Sequence, residues 1–355
     1  MPLPLLTQTI ARLNKISVHL DMQPSLSEIA QRLISKETSS SEVESTLTSY
    51  KELLLSKSLV DVDGNEHDQH LQLDSGIAIG LKWAATCLDD TIRTVKFIRG
   101  TRKAILQKLE EGNRPVRLVY AGTGPFATLI FPLLDQFSSE ELQVTLIEIN
   151  PNSAKNVEHL VESFGLGDRV ESIICADATS VILSNHQSGN GKPLDLQYDI
   201  LLSETMQHAL QAELQVVICA HLLNQMPENT LLIPQSIDLD LIRMQLELGN
   251  FRSVERIGEL MKVDAPFLRN ESPIDSEWEY KKHFDVSNQQ VELGEFLGIS
   301  TTIHVFEEET ILQHESGLTV PKVLAPVEDV MNNTIECCYK ISPEPGFEFT
   351  ILPKS

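Results

Sequence analysis

The sequence predicts an α/β fold: a parallel sheet covered by helices, preceded by a mainly helical module and followed by a β-rich domain. Three observations carry this. Between about 79 and 235, short apolar strands at 117–121, 143–147, 170–175, 198–202 and 230–233 alternate with helical stretches, the pattern of a parallel sheet with both faces covered. Before it, residues 1 to about 78 carry helical spacing and capping signals. After Pro234 the spacing changes to the alternation of antiparallel strands, at Ile237, Leu239 and Leu241 and again at 301–306, 334–341 and 347–351. The domains expected are therefore 1–78, 79–235 and 236–355.

In the first module, Ser25 with Glu28 forms a capping box ahead of Ile29, Leu33 and Ile34, and Ser41 with Glu44 forms another ahead of Leu47 and Leu53. Two short strands, 60–64 and 71–73, would complete a winged-helix-like unit. Such units often bind DNA, but the chain holds 51 acidic against 28 basic residues, a formal charge of -23. That charge repels phosphate backbones and anionic lipid surfaces, so packing or dimerisation is expected of the module, nucleic acid and membrane are not expected partners, and cationic ligands are favoured. At 355 residues with 41% apolar content, the chain can build several cores. Its cysteines, Cys87, Cys175, Cys219, Cys337 and Cys338, are odd in number and form no C-x-x-C pair, which suits a reducing cytoplasm and offers no metal site. No segment approaches the ~20 apolar residues of a membrane span, and no signal peptide is evident at the amino terminus. The polar stretch 184–196, with two glycines, reads as a surface loop.

Candidate site residues lie at strand ends. Val119 to Ala127 reads as a strand, a glycine turn at Gly122 and Gly124, then a helix; the glycines would let backbone approach a ligand closely. The same residues fit the dinucleotide pattern G-x-G-x-x-A, which leaves a nicotinamide oxidoreductase open, as well as a purely structural turn. Glu148 ends the next strand, placed to accept from both hydroxyls of a ribose. Asp177 follows the third, placed to accept from an adenine amino group. After the fourth come Glu204 and Glu213, nine residues apart. Nine helical steps turn a side chain by about half a revolution, so both acids can face one target only if the chain bends between them. A bent pair of carboxylates suits a guanidinium, whose rigid fork of donors matches two acids. The alternatives are solvated strand-end charges and two surface acids at a helix start.

A glycine turn followed by acids at the next two strand ends resembles the adenosyl site of class I S-adenosylmethionine-dependent methyltransferases. The segment Leu88 to Phe97, with Asp90, Arg93 and Thr94, resembles the helix that precedes this fold in protein arginine methyltransferases. Residues 203–213 are similar to that family's double-glutamate loop, and Leu231-Leu232-Ile233-Pro234 to its last core strand before a β-barrel. The resemblance implies a Rossmann-like sheet with a barrel-like carboxyl-terminal domain and S-adenosyl-L-methionine as cofactor. It assigns Arg93, Gly122, Gly124, Glu148 and Asp177 to cofactor binding, with Arg93 on the carboxylate, against the alternative of a helix-face charge beside Asp89 or Asp90. Glu204 and Glu213 become the catalytic clamp, with His208 assisting if the loop brings it inward and otherwise facing water.

The sequence departs from the family at Thr205, where a tryptophan is usual, at Gln207-His208 in place of glycine-tyrosine, and at Lys322-Val323-Leu324-Ala325, where a threonine-histidine-tryptophan loop is expected. These departures and the added module favour free arginine or a small guanidine as acceptor over an arginine-containing peptide. Methylation of another amine or a hydroxyl, and a nonenzymatic nucleotide-fold scaffold, are the competing readings; a homodimer could form through the module or the last domain.

Overall fold

The computed structural model describes residues 24–59, 71–73, 76–78, 89–286, 294–330 and 333–352. Helix α1 (Leu26–Ile34) opens on the expected capping box: the Ser25 hydroxyl accepts from the Glu28 amide and Glu28 accepts from the Ser25 amide. In α2 (Ser40–Lys57), Ser39 and Glu42 exchange those bonds, not Ser41 and Glu44. The serine run offers two overlapping registers, and the earlier one adds about half a turn of hydrogen-bonded helix. Ile29, Leu33, Leu47 and Leu53 are buried, with Ile34 packed against them. Residues 60–64 lie outside the described part; Leu71–Leu73 forms the expected strand β1, antiparallel to β2 (Gly76–Ala78).

Helix α3 (Thr91–Glu110) is capped by Asp90, whose side chain accepts the Arg93 amide. Its Arg99 donates to the carbonyls of Leu33 and Ser35 at 2.8 and 2.7 Å, placing a cation on the electronegative end of α1. Five strands follow, β3 (Val116–Ala121), β4 (Leu142–Glu148), β5 (Val170–Cys175), β6 (Ile200–Ser203) and β7 (Leu231–Ile233). They form one sheet in the order β5-β4-β3-β6-β7, every neighbouring pair parallel. The chain moves outward in one direction from β3 to β5 and in the other from β6 to β7, so the sheet has its switch point between β3 and β6, where open α/β sheets form ligand crevices. Helices α4 (Phe131–Gln136), α5 (Pro151–Ser163) and α6 (Gln215–Leu223) belong to this part. The helix expected directly after Gly124 begins only at Phe131, because Ala127 sits at φ 43° and breaks the turn.

Beyond Ile233 the sheets are antiparallel. Strands β8 (Ser236–Glu247), β9 (Asn250–Asp264), β10 (Glu279–Asp285), β11 (Glu295–Phe306), β12 (Glu309–Ile311), β13 (Lys322–Pro326), β14 (Thr334–Lys340) and β15 (Gly346–Leu352) cover the expected segments, with β14 ending one residue short of Ile341. One sheet runs β12-β11-β8-β9 with β13 also on β11, and a second runs β10-β14-β15. Short helices α7 (Ala265–Glu271) and α8 (Val327–Val330) complete it. Among the described residues no helix is long and apolar enough to cross a membrane.

Helix α3 joins the two halves. Asp90 Oδ2 accepts from the Ser316 hydroxyl at 2.6 Å and the Gly317 amide at 3.1 Å. Lys103 and Lys96 reach the buried Glu309 at 3.0 and 3.3 Å, and Lys36 pairs with Glu308. At Gly100 the helix lies against β11 so closely that a Cβ would stand 2.7 Å from Val305 Cγ1 and 3.3 Å from Phe306 Cβ. Alanine favours a helix by about 1 kcal/mol over glycine, but overpacking costs ~1–3 kcal/mol, and the buried β-branched Val305 has no room to turn away. Gly100→Ala should therefore lower stability in urea denaturation by ~1–2 kcal/mol; a more stable variant would show that this contact does not set the packing of α3 on β11.

Candidate active site

The carboxyl ends of β3, β4, β5 and β6 open into one cavity, bordered by Arg93, Gly122, Gly124, Glu148, Asp177, Glu204 and Glu213. Seven of the eight sequence-predicted site residues thus meet in one place. Its empty space, counted out into open solvent, is about 1010 Å³. Gly122 and Gly124 have φ of 73° and 60°, a region open to glycine at little cost. Over Gly122, however, the close neighbour is the chain itself: a Cβ there would lie 2.1 Å from Thr205 Cγ2. That glycine admits the clamp loop to the turn.

Glu148 is buried and shaped by backbone donors. Its Oε2 accepts the Gly124 amide at 2.8 Å and the Thr123 hydroxyl at 3.5 Å, and its Oε1 the Asn150 amide at 2.9 Å, so the carboxylate is fixed while Oε1 retains capacity for a further donor. Burial raises its pKa against the pull of those amides. Asp177 Oδ1 accepts from both the amide and the hydroxyl of Thr179, at 2.8 and 2.7 Å, which leaves Oδ2 without a hydrogen-bond partner among the described residues. Two oriented acids with spare acceptors, across a glycine turn, match the hydroxyls and amino group of an adenosine.

Facing them, residues 203–213 make the bend that nine helical steps could not. The segment holds no α-helix; a short 3-10 turn, His208–Leu210, stands in its middle, and Ala209, Leu210 and Ala212 all have positive φ, at 54°, 52° and 63°. The conformation is held from both sides. Beneath it, buried Gln215 accepts from the Thr205 amide and hydroxyl, each at 2.9 Å, and donates to the Ser203 carbonyl at 3.1 Å. Above it, the Thr301 hydroxyl accepts from the Ala209 amide at 3.1 Å, buried Tyr339 donates to the Leu210 carbonyl at 2.8 Å, and the Pro345 carbonyl accepts from the Ala212 amide at 2.8 Å. Sequence reasoning missed all four of these supports, since none falls in a motif; an amide two residues after the second glutamate is the only local signal for Gln215.

Arg93 is buried as well and points at the clamp, not at solvent. Its Nη1 lies 3.4 Å from both carboxylate oxygens of Glu204. Burial pushes the Glu204 carboxyl up to about 7, against the attraction of Arg93 and with a further push from Asp90. Glu213 is raised to about 7 by burial and then by the charge of Glu204, opposed by a hydrogen bond from Gln207 and by Arg93. His208 does not join them. The turn carries its half-buried imidazole away from the cavity, to within 3.0 Å of Gln211 Nε2, and burial followed by the charge of Lys322 lowers its pKa. Of the two placements open to this histidine, inward or away from the cavity, the structure has it outside the residues that border the cavity.

Two buried carboxylates thus share one guanidinium. Both values stand above the 4.5 of an unfolded glutamate, so their contribution to stability is full below about pH 4.5 and is lost as pH rises through about 7. Glu213→Gln removes one acid of the pair while leaving the Arg93–Glu204 ion pair in place. The ligand-free variant should be more stable than the parent at pH 8 by ~1–3 kcal/mol in urea denaturation, with the gap closing towards pH 5. A variant less stable at pH 8 would refute the picture of strained, charge-deficient acids.

Neither a protein-family model nor a curated protein sequence matches the chain. Solved structures do. A crystal structure of PRMT6-SAH is 12% identical over 72% of this chain and 96% of that one, with a TM-score of 0.50. A further PRMT6 structure covers 71% and 95% at 12% identity and a TM-score of 0.49. The Trypanosoma brucei PRMT1 enzyme-prozyme heterotetrameric complex with AdoHcy covers 76% and 92% at 12% identity and a TM-score of 0.47. A likeness at this identity is one of architecture. The parallel sheet with its switch-point cavity and the antiparallel sheets that follow give this chain an arginine-methyltransferase-like class I fold.

Proposed function

We propose that the chain transfers a methyl group from S-adenosyl-L-methionine to a guanidino nitrogen, with free arginine or a small guanidine as acceptor. One observation carries the reading: two buried carboxylates, Glu204 and Glu213, share the single guanidinium of Arg93 at the edge of a cavity built from a glycine turn and strand-end acids. Among the described residues such a site lacks one positive charge, and a guanidinium supplies it with matching donors. The likeness of fold to a PRMT6 structure solved with SAH supports the choice of cofactor.

The residues present fit that cofactor. Asp177 has an unused acceptor for the adenine amino group, Glu148 has spare acceptor capacity for ribose, the Gly124 turn is open, and Arg93 can take the carboxylate. When bound, the cofactor would supply a methyl already activated by its sulfonium charge. The protein's part is then positioning. Glu204 and Glu213 hold the guanidinium by charge-assisted bonds and draw its positive charge towards themselves, so that the attacking nitrogen recovers lone-pair character. With a pKa near 7, either can accept the proton released on transfer. Turnover should rise with pH through about 7 as the pair ionises. Thr205 and His208, smaller than the tryptophan and tyrosine of the family that the sequence resembles, support a small acceptor over a peptide.

Two experiments test the reading. Glu204→Gln and Glu213→Gln keep shape but remove a charge, so turnover should fall ~10²-fold or more while S-adenosylhomocysteine affinity in titration calorimetry stays close to that of the parent. Near-normal turnover in both variants would end the guanidino assignment. Glu148→Ala leaves ribose hydroxyls without an acceptor, and S-adenosylhomocysteine should bind tenfold or more weakly. Unchanged affinity there, or tight NADH binding by the parent, would instead favour a different cofactor.

A further inference from the structure

The amino-terminal module reaches the wall of the cavity through two buried side chains that the chemistry above does not use. Helix α2 buries Val43, Leu47, Tyr50, Leu53 and Leu54, a stripe at helical spacing with Tyr50 at its centre. The Tyr50 ring is fully buried, and its hydroxyl donates to the Thr128 carbonyl at 2.9 Å. Just past the end of the same helix, the Ser58 hydroxyl and the Leu59 amide donate to Asn156 Oδ1 on α5, at 3.0 and 2.7 Å. Asn156 is fully buried too, and its Nδ2 donates to the Pro125 carbonyl at 2.7 Å. Pro125 and Thr128 both border the cavity, whereas neither Tyr50 nor Asn156 is among the described residues that do. The module thus holds the wall at two points, once directly and once through Asn156.

The two carbonyls need these donors for a reason local to the sequence. Ala127 lies between them at φ 43° and breaks the helical turn that would otherwise follow the glycines. A helix would close the Thr128 carbonyl with the amide four residues on, but that residue is Pro132, which has no N–H. A carbonyl left unpaired away from water is costly, so donors from outside the segment, one on each side of the strained Ala127, fix the shape of 125–128. We propose that Tyr50 and Asn156 are positioning residues for the cofactor, through which helix α2 shapes this wall and sets the affinity for the adenosyl ligand. The proposal rests on the cofactor reading and deepens it, because it gives the added module a part in the site. Without one of the donors the empty wall relaxes, the ligand finds only a fraction of the molecules in the competent shape, and its apparent affinity falls by that fraction.

Tyr50→Phe keeps the ring in its packing and deletes only the hydroxyl, and Asn156→Leu deletes the other donor at similar volume. In titration calorimetry of the full-length chain, each variant should bind S-adenosylhomocysteine about fivefold or more weakly than the parent, the scale of one net hydrogen bond. Ser39→Ala is the control for general destabilisation: it removes the cap of α2 but reaches neither carbonyl, and it should leave the affinity unchanged. Hydrogen exchange gives a second readout. In ligand-free Tyr50→Phe the amides of 126–131 should exchange faster than in the parent while those of α2 keep their rates, and S-adenosylhomocysteine should restore the protection. Parental affinity in either Tyr50→Phe or Asn156→Leu, or an equal loss in Ser39→Ala, would overturn the positioning role and leave the cofactor assignment standing. If the parent itself does not bind S-adenosylhomocysteine, the cofactor assignment falls and the positioning role falls with it.

Discussion

The site depends on one strained stretch of backbone. Ala209, Leu210 and Ala212 occupy the left-handed region, where a residue with a Cβ costs of the order of 1 kcal/mol, yet without that bend Glu204 and Glu213 would point to opposite sides of a helix. The stretch persists because its surroundings over-determine it. Gln215 clamps its start to the parallel sheet, while Thr301, Tyr339 and Pro345 take its amides and carbonyls from the antiparallel sheets. Each such bond contributes about 1 kcal/mol, and Ala209 and Leu210 are buried as well, so bonds and burial together offset the strain. The antiparallel half of the chain therefore holds the loop that carries Glu204 and Glu213, although among the described residues that border the cavity none comes from it.

Electrostatics gives this geometry its selectivity. Glu204 and Glu213 are withdrawn from water and share Arg93, so among the described residues the ligand-free site is short of positive charge, and burial raises both carboxyls to about 7. A cation that enters regains for them the interactions lost on burial, whereas a neutral ligand of similar shape does not. Arg93 connects the two halves of the site: it touches Glu204 and borders the cavity expected to hold the cofactor carboxylate. Its position follows from the cap at Asp90, which both starts α3 and receives the Ser316 hydroxyl from the second half of the chain.

Much of this was legible in the sequence, for physical reasons that differ between residues. Strand ends in a parallel sheet follow from apolar runs of fixed length, so Gly122, Gly124, Glu148 and Asp177 could be placed together from the sequence alone. The clamp spacing showed that a bend was needed, but not how it is made, because left-handed alanines carry no signature of their own and the bonds that hold them come from residues about 90 to 130 positions away. Local chemistry misled at one cap: overlapping S-x-x-E registers made Ser41 as plausible as Ser39. For His208 the sequence left two placements open, because the turn at Ala209 that carries it has no signature of its own. Nor does the sequence reveal that Thr205, not a ligand, fills the space above Gly122; that contact requires the loop and the turn to meet in three dimensions.

The central claim, methyl transfer to a guanidino nitrogen, is most directly tested by mass spectrometry of purified protein incubated with S-adenosylmethionine and a panel of free arginine, related guanidines, arginine-rich peptides, simple amines and alcohols. The account predicts a single-methyl mass increase on free arginine or a small guanidine, localised by fragmentation to the guanidino group. Methylation confined to amines or hydroxyls, or no transfer to any guanidine, would contradict it.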